Sequence, residues 1–143
     1  MTPILAFDIE TVPDVNGIRL LYDLPASLPD DEVVLFAQQK RRAQNGSDFM
    51  QHHLHQVVAI SCCMRWGQDK IHVGTIGEMH DSEEEMIAKF FDLIESHTPQ
   101  LVSWNGGGFD LPVLHYRALI HGITAARYWD MGEGDFGDSR DFK

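Results

Sequence analysis

The sequence predicts an α/β fold, a mixed sheet with helices packed on it. Three observations carry the prediction: β-rich runs with hairpin-like connections come first, an amphipathic helix with a complete start signal follows, and a short strand leads into a last helix. At 143 residues, 43% hydrophobic and 23% charged, the chain has ordinary globular composition and the length of a single domain, taken as residues 1–143.

Residues 3–10, Pro-Ile-Leu-Ala-Phe-Asp-Ile-Glu, form the first strand, and its opening proline is tolerated at that position. Residues 12–56 loosen the pattern with Pro13, Asn16-Gly17, Pro25 and Pro29, and Asp30-Asp31 opens a helix over Glu32 to Gln44. The expectation there is an irregular insertion with one or two short helices. Val57 to Trp66 and Ile71 to Ile76 are β-branched runs joined by Gly67-Gln68-Asp69-Lys70, an antiparallel hairpin.

Ser82-Glu83-Glu84-Glu85 is a capping box, with acids where the positive end of a helix dipole favours them. Met86, Ile87, Phe90, Phe91 and Ile94 then recur at helical spacing until Thr98-Pro99. The acidic run 83–85 therefore reads as helix-start chemistry. Leu101 to Trp104 is a fourth strand, Asn105-Gly106-Gly107-Gly108 a tight loop, and a helix with Pro112 in its first turn runs to about His121, closed by Gly122. Residues 123–143 lose periodicity, and from Tyr128 on they gather acids and glycines. They are expected to be poorly ordered or an incomplete element.

The 22 acids against 11 Lys and Arg give a formal charge of −11, which excludes a basic, phosphate-coating nucleic-acid binder. An anionic polymer handled by this chain needs local cations or bound metal. Cys62 and Cys63 are adjacent and cannot form an unstrained bridge, so both are expected to be reduced thiols. The N-terminus has no basic leader and no run approaching the roughly 18 apolar residues of a membrane span. A soluble, cytoplasmic protein with no membrane partner is expected.

Asp8 and Glu10 are two residues apart on a strand, so their side chains share one face with Cα atoms about 6.6 Å apart. Ionised groups beside a core cost several kcal/mol, on the order expected for unpaired buried charge, unless hydrated, paired or metal-bound. A wet sheet rim and a shared metal both meet that condition. Asp110 follows a strand and a glycine loop at the mouth of a helix, where it serves either as an N-cap or as a functional carboxylate. Asn105 is likewise either a turn residue or a site residue. The loop matches no phosphate-cradling motif. For Trp104 and Phe109 the first expectation is core packing. Lys40-Arg41-Arg42 reads as a solvated helix face, with a strand clamp as its functional alternative, and His52-His53-x-His55 lacks a supporting acid or cysteine for zinc.

Phe7-Asp8-Ile9-Glu10-Thr11 together with Trp104-Asn105-Gly106-Gly107-Gly108-Phe109-Asp110-Leu111 resembles the first and second motifs of the DEDD superfamily of 3′→5′ exonucleases. The similarity is in particular to the proofreading domain of family B DNA polymerases and its stand-alone bacterial relatives, and it covers about residues 1–122. It implies a ribonuclease H-like sheet of three antiparallel strands plus a parallel fourth. It also implies that Asp8, Glu10 and Asp110 are catalytic carboxylates holding two divalent cations, Mg²⁺ or Mn²⁺, that hydrolyse terminal phosphodiesters of DNA or RNA. Thr11, Asn105 and Phe109 become substrate-binding candidates, and the partner is a single-stranded or frayed 3′ end.

A third motif, Tyr or His followed at fixed spacing by a fourth carboxylate on a C-terminal helix, is not found. Gly132 stands four residues after Tyr128, and Asp135, Asp138 and Asp141 lie in a glycine-broken stretch. The last strand and helix of the fold are missing with it. The expectation is a truncated chain, or a site completed by a second polypeptide, with activity weak or undetectable. The alternative is a non-catalytic nucleic-acid or protein interaction module on the same fold.

Overall fold

Alternation writes the first element. In β1 (Ile4–Pro13) Leu5, Phe7 and Ile9 are buried while Asp8 and Glu10 are exposed, the period-two pattern of a strand with one wet face. The computed structural model describes residues 1–129, which divide into two units, Met1–Glu10 with Val57 onward, and Thr11–Gln56.

The larger unit is built on a four-stranded sheet. β2 (His55–Trp66) and β3 (Lys70–Thr75) pair antiparallel from Ser61 opposite Thr75 to Trp66 opposite Lys70, the hairpin anticipated from the turn at 67–70. β4 (Gln100–Val102) runs parallel to β1, with Leu5 opposite Leu101 and Ala6 opposite Val102. The order β3-β2-β1-β4 places β1 at the centre and β3 and β4 at the edges. The sheet is mixed, three antiparallel strands and one parallel, as the sequence predicts.

α3 (Glu83–His97) makes the crossover from β3 at one edge of the sheet to β4 at the other. Its capping box is complete: Ser82 Oγ accepts the Glu85 N–H at 3.2 Å, and the Glu85 carboxylate accepts the Ser82 N–H at 2.7 Å. Thr98 ends it in the left-handed region. Met86, Ile87, Phe90, Phe91 and Ile94 are buried, and Phe90 meets Phe7 of β1 at 5.0 Å between centroids. Each such fully buried side chain contributes roughly 1.5–3 kcal/mol. α4 (Asp110–Ile120) adds Leu111, Val113 and Leu114 to the same core, and α5 (Ala126–Trp129) brings Tyr128 onto Phe91 at 5.3 Å. The stretch 123–143, expected to be poorly ordered or an incomplete element, contains a short helix at 126–129, and residues 130–143 lie outside the described ones.

The smaller unit is more regular than the sequence implies. α1 (Val15–Tyr22) is capped by Asp14, whose carboxylate accepts the Gly17 N–H at 3.0 Å, and α2 (Asp30–Asn45) runs for 16 residues. Arg19 ties the two together through the Pro25 and Leu28 carbonyls and the Asp30 carboxylate. Ile18, Val33, Ala37, Met50 and Leu54 form a separate small core. The prolines that blur the pattern stand between helices: Pro25 lies in the α1–α2 connection and Pro29 is the residue before α2. The basic run is occupied within this unit, since Arg42 pairs with Asp48, Arg41 donates to the Phe49 carbonyl, and Lys40 lies over Phe36.

Among the described residues no helix is long and apolar enough to cross a membrane. Cys62 and Cys63 are free and half-buried, and burial pushes the Cys62 thiol up.

Candidate active site

β1 and the segment following β4 bring three carboxylates into one electrostatic neighbourhood. Asp8 and Glu10 stand on the exposed face of the central strand. Asp110 opens α4 and is only 3% exposed. Phe109, not Asp110, occupies the N-cap position, and no side chain caps the helix, so the simple N-cap reading of Asp110 is corrected. Its ionised form is instead favoured by the backbone N–H groups of Ile9, between Asp8 and Glu10, and of Asp110 itself.

The loop before Asp110 is closed by backbone bonds. The Asn105 carbonyl accepts the N–H groups of Gly108 and Phe109 at 3.0 Å each, and the Gly106 carbonyl accepts that of Leu111 at 2.8 Å. Asn105 sits at φ +54°, a left-handed position that asparagine tolerates better than most residues. Two glycines are closely packed, Gly106 in the interior and Gly108 against an exposed side chain. A Cβ on Gly106 would fall 1.7 Å from Ser103 Oγ, and one on Gly108 would fall 2.4 Å from Asn105 Oδ1. Loop length and glycine content are thereby linked to the position of Asp110.

Burial pushes the Asp110 carboxyl up, and the charge of Asp8 adds to it, with Glu10 contributing least; the N–H groups of Ile9 and Asp110 oppose the shift. Asp110 Oδ2 is buried without a hydrogen-bond partner. Among the described residues none of the three carboxylates is ion-paired. Oxygen-only donors, an orphaned buried oxygen and uncompensated negative charge fit a hard divalent cation in their chemistry. Among the described residues, however, no three His, Cys, Asp or Glu side chains are gathered into a metal-ion cluster. Mutual repulsion of uncompensated carboxylates opposes such a gathering.

The other predicted site residues are placed as follows. Thr11 lies in the smaller unit, where its hydroxyl hydrogen-bonds His55 Nδ1 at 3.2 Å. Asn105 is exposed and is the hinge of the loop. Phe109 is half-buried against the main core. Trp104 departs from the expectation of core packing, because it is 93% exposed: β4 ends at Val102 and the chain turns away before the ring can reach the core. His55 is engaged by Thr11, the Met50 carbonyl and the Phe49 ring, and burial holds its pKa down.

One supporting group escapes sequence reasoning. Glu83, read as helix-start chemistry, is buried and accepts from Arg117 Nε at 3.0 and 3.1 Å, from Arg117 Nη2, from His121 Nε2 at 2.7 Å and from the Val57 N–H. This network ties α3, α4 and β2 together. Arg117 is seven residues after Asp110, on nearly the same helix face, so its anchoring restrains the rotation of α4 and with it Asp110. No local signal marks the pair, whose members stand 34 residues apart.

Comparisons with known proteins bear on this geometry. Residues 47–143, more than half of the chain, match the sequence model of a family described as a predicted 3′–5′ exonuclease related to the exonuclease domain of PolB. The matched region contains Asp110 and begins after Asp8 and Glu10. A protein named DNA polymerase 1 from Sulfolobus acidocaldarius is 40% identical over 42 residues, 29% of this chain and 5% of that polymerase. Its namesake from Sulfurisphaera ohwakuensis is 46% identical over 49 residues, 34% of this chain and 6% of that protein. The family B DNA polymerase of the hyperthermophilic archaeon Pyrobaculum calidifontis aligns over 87% of this chain and 12% of its own, at 21% identity and a TM-score of 0.46. The chain thus spans a small part of the length of each of these relatives.

Proposed function

Because this chain belongs to the family of predicted 3′–5′ exonucleases related to the exonuclease domain of PolB, we propose that it binds the 3′ end of a nucleic-acid strand and hydrolyses the terminal phosphodiester. The observation that carries the reading is the buried, unpartnered Oδ2 of Asp110 beside the charges of Asp8 and Glu10. Asp8, Glu10 and Asp110 are the residues that would hold divalent cations, Mg²⁺ or Mn²⁺.

When bound, such cations activate water and offset the charge that develops on the leaving 3′-oxygen. The chain's own residues do the positioning. Asp8 and Glu10 offer exposed oxygens on an interior strand, and the buried Asp110 at the start of α4 feels their charge. The glycine loop leaves open space at Gly107, where a backbone can approach closely, and the exposed Asn105 amide, against Gly108, is a donor to the terminal nucleotide. The products are a nucleoside 5′-monophosphate and a strand shortened by one residue with a free 3′-hydroxyl. With no third motif readable in the sequence, turnover is slow.

A 5′-labelled single strand incubated with the chain and Mn²⁺ or Mg²⁺ tests this. Slow stepwise shortening from the 3′ end is expected. Asp8→Ala reduces it by more than the roughly 10–100-fold that loss of a group merely supporting a ligand costs. Internal cuts, or shortening that Asp8→Ala leaves unchanged, would falsify it.

A second reading, a non-catalytic interaction module, is favoured by the missing cluster of three metal ligands among the described residues. It predicts binding of the same strand with no shortening at any cation concentration.

A further inference from the structure

β3 ends the sheet, and among the described residues no strand lies beyond it. Its pairing with β2 fixes which of its main-chain groups face that open side. The Ile76 N–H donates to the Ile60 carbonyl at 2.8 Å, so in the alternation of an antiparallel ladder Gly74, His72 and Lys70 also bond to β2. The N–H and C=O groups of Ile71, Val73 and Thr75 therefore point outward. These three residues are β-branched and share the face opposite the core: Met64, across from His72, is buried, while Ile71 and Val73 are 58% and 73% exposed.

Edge strands of soluble proteins carry a guard in the form of a charge, a proline or a bulge. Between Ile71 and Thr75 there is no proline, lysine, arginine or acid, and the register with β2 is unbroken. Lys70, the strand's one fixed charge, lies over the Trp66 ring of β2 at 5.3 Å and so leans away from the open side.

The strand's own sequence sets what pairs there. Two copies of β3 brought together antiparallel exchange bonds only where outward residues meet outward residues. Centred on Val73, a two-fold sets Val73 against Val73 and Ile71 against Thr75 on either side, about six main-chain bonds in all; centred on His72 or Gly74 it keeps about four within the strand. The Val73 centre also gathers β-branched pairs on the outer face and lays His72 opposite Gly74, which has no side chain to obstruct the ring. No acid lies in the strand, so the net charge of −11 on each chain acts from outside the joint and is screened by salt over about 8 Å.

We propose that β3 joins two copies of this chain through their open edges, with Val73 on the two-fold axis. The pairing uses the same edge in both copies, so assembly closes at a dimer. A ladder of six residues falls short of the roughly 1,200 Å² buried in a stable interface, so the dimer is weak and concentration-dependent. It is independent of the exonuclease reading.

Sedimentation equilibrium of the chain from about 20 μM to about 1 mM reads the mass, and amide hydrogen exchange by NMR at about 50 μM and about 1 mM reads the register. The mass is expected to rise from monomer toward dimer with concentration, and further at about 300 mM NaCl than at about 50 mM, where the like net charges are less screened. Amides of Ile71, Val73 and Thr75 slow with it, whereas those of His72 and Gly74, bonded to β2, are protected at both concentrations. Val73→Lys sets two ammonium groups against each other on the axis and weakens association by at least about tenfold, although it lowers the chain's net negative charge. At the lowest concentration its melting temperature equals that of wild type, since the Val73 side chain stands in solvent. A mass that stays monomeric throughout, a dimer that Val73→Lys leaves intact, or a dimer without slowed exchange at Ile71, Val73 and Thr75 would overturn the proposal.

Discussion

Asp110 carries a cost that Asp8 and Glu10 escape by standing in water. Its folded carboxyl is raised by burial and then by the Asp8 charge. A carboxyl whose folded pKa lies above its unfolded value destabilises the fold once both states are ionised, and the penalty fades as pH falls through the folded pKa toward the unfolded one. In EDTA at pH 7, Asp110→Asn is therefore expected to melt higher than wild type, and the gain should vanish near pH 4. Scanning calorimetry at the two pH values checks this; a variant less stable than wild type at pH 7 would show that the charge is compensated. The loop glycines act on the same residue. Gly106→Ala, at a buried position where a Cβ would fall 1.7 Å from Ser103 Oγ and 2.9 Å from its Cβ, should cost about 1–3 kcal/mol in denaturant unfolding, the range for a buried overpacking change. Asn105 and the three glycines are legible as a tight loop from sequence, because turn chemistry is local. The burial of Asp110 is not, since it depends on β1, a hundred residues earlier.

At the scale of elements, α4 is the part that must not rotate. Its upper end presents Asp110 and its lower end is held by Arg117 on Glu83. Removing one partner of such a pair strands the other as a buried charge, so Arg117→Met is expected to destabilise by about 3–5 kcal/mol. Replacing both, Glu83→Leu with Arg117→Met, should recover much of that loss by urea denaturation; equal losses for single and double variants would contradict a buried pair. The helices themselves are read well from sequence where their signals are local. The capping box at Ser82 and Glu85 and the stripe from Met86 to Ile94 are matched residue by residue. Within residues 12–56 the helix signalled by Asp30-Asp31 is observed as α2, whereas α1 is hidden by Asn16-Gly17, which look like turn residues and stand inside that helix.

For the molecule as a whole, net charge limits how a polyanion can be bound. A single strand loses affinity with salt at a log–log slope of about −0.7 for each phosphate neutralised. An acidic chain acting on one terminal phosphodiester should show a slope no steeper than about −2 in anisotropy titrations across 50–300 mM NaCl at fixed Ca²⁺. A slope near −5 would mean a long cationic footprint, for which the basic run at 40–42, already paired within its own unit, is poorly placed.

What the sequence alone determined is the part encoded within about ten residues. That includes the period-two strand that puts Asp8 and Glu10 on one face, the capped helix and the glycine loop before Asp110. Only the tertiary structure decided the environments of these residues. It buried Asp110 and left its Oδ2 unpartnered, drew Glu83 from a helix start into a salt bridge with Arg117, and left Trp104 in solvent. The reason is physical: backbone conformation follows from neighbours in the chain, whereas burial and charge coupling follow from neighbours in space.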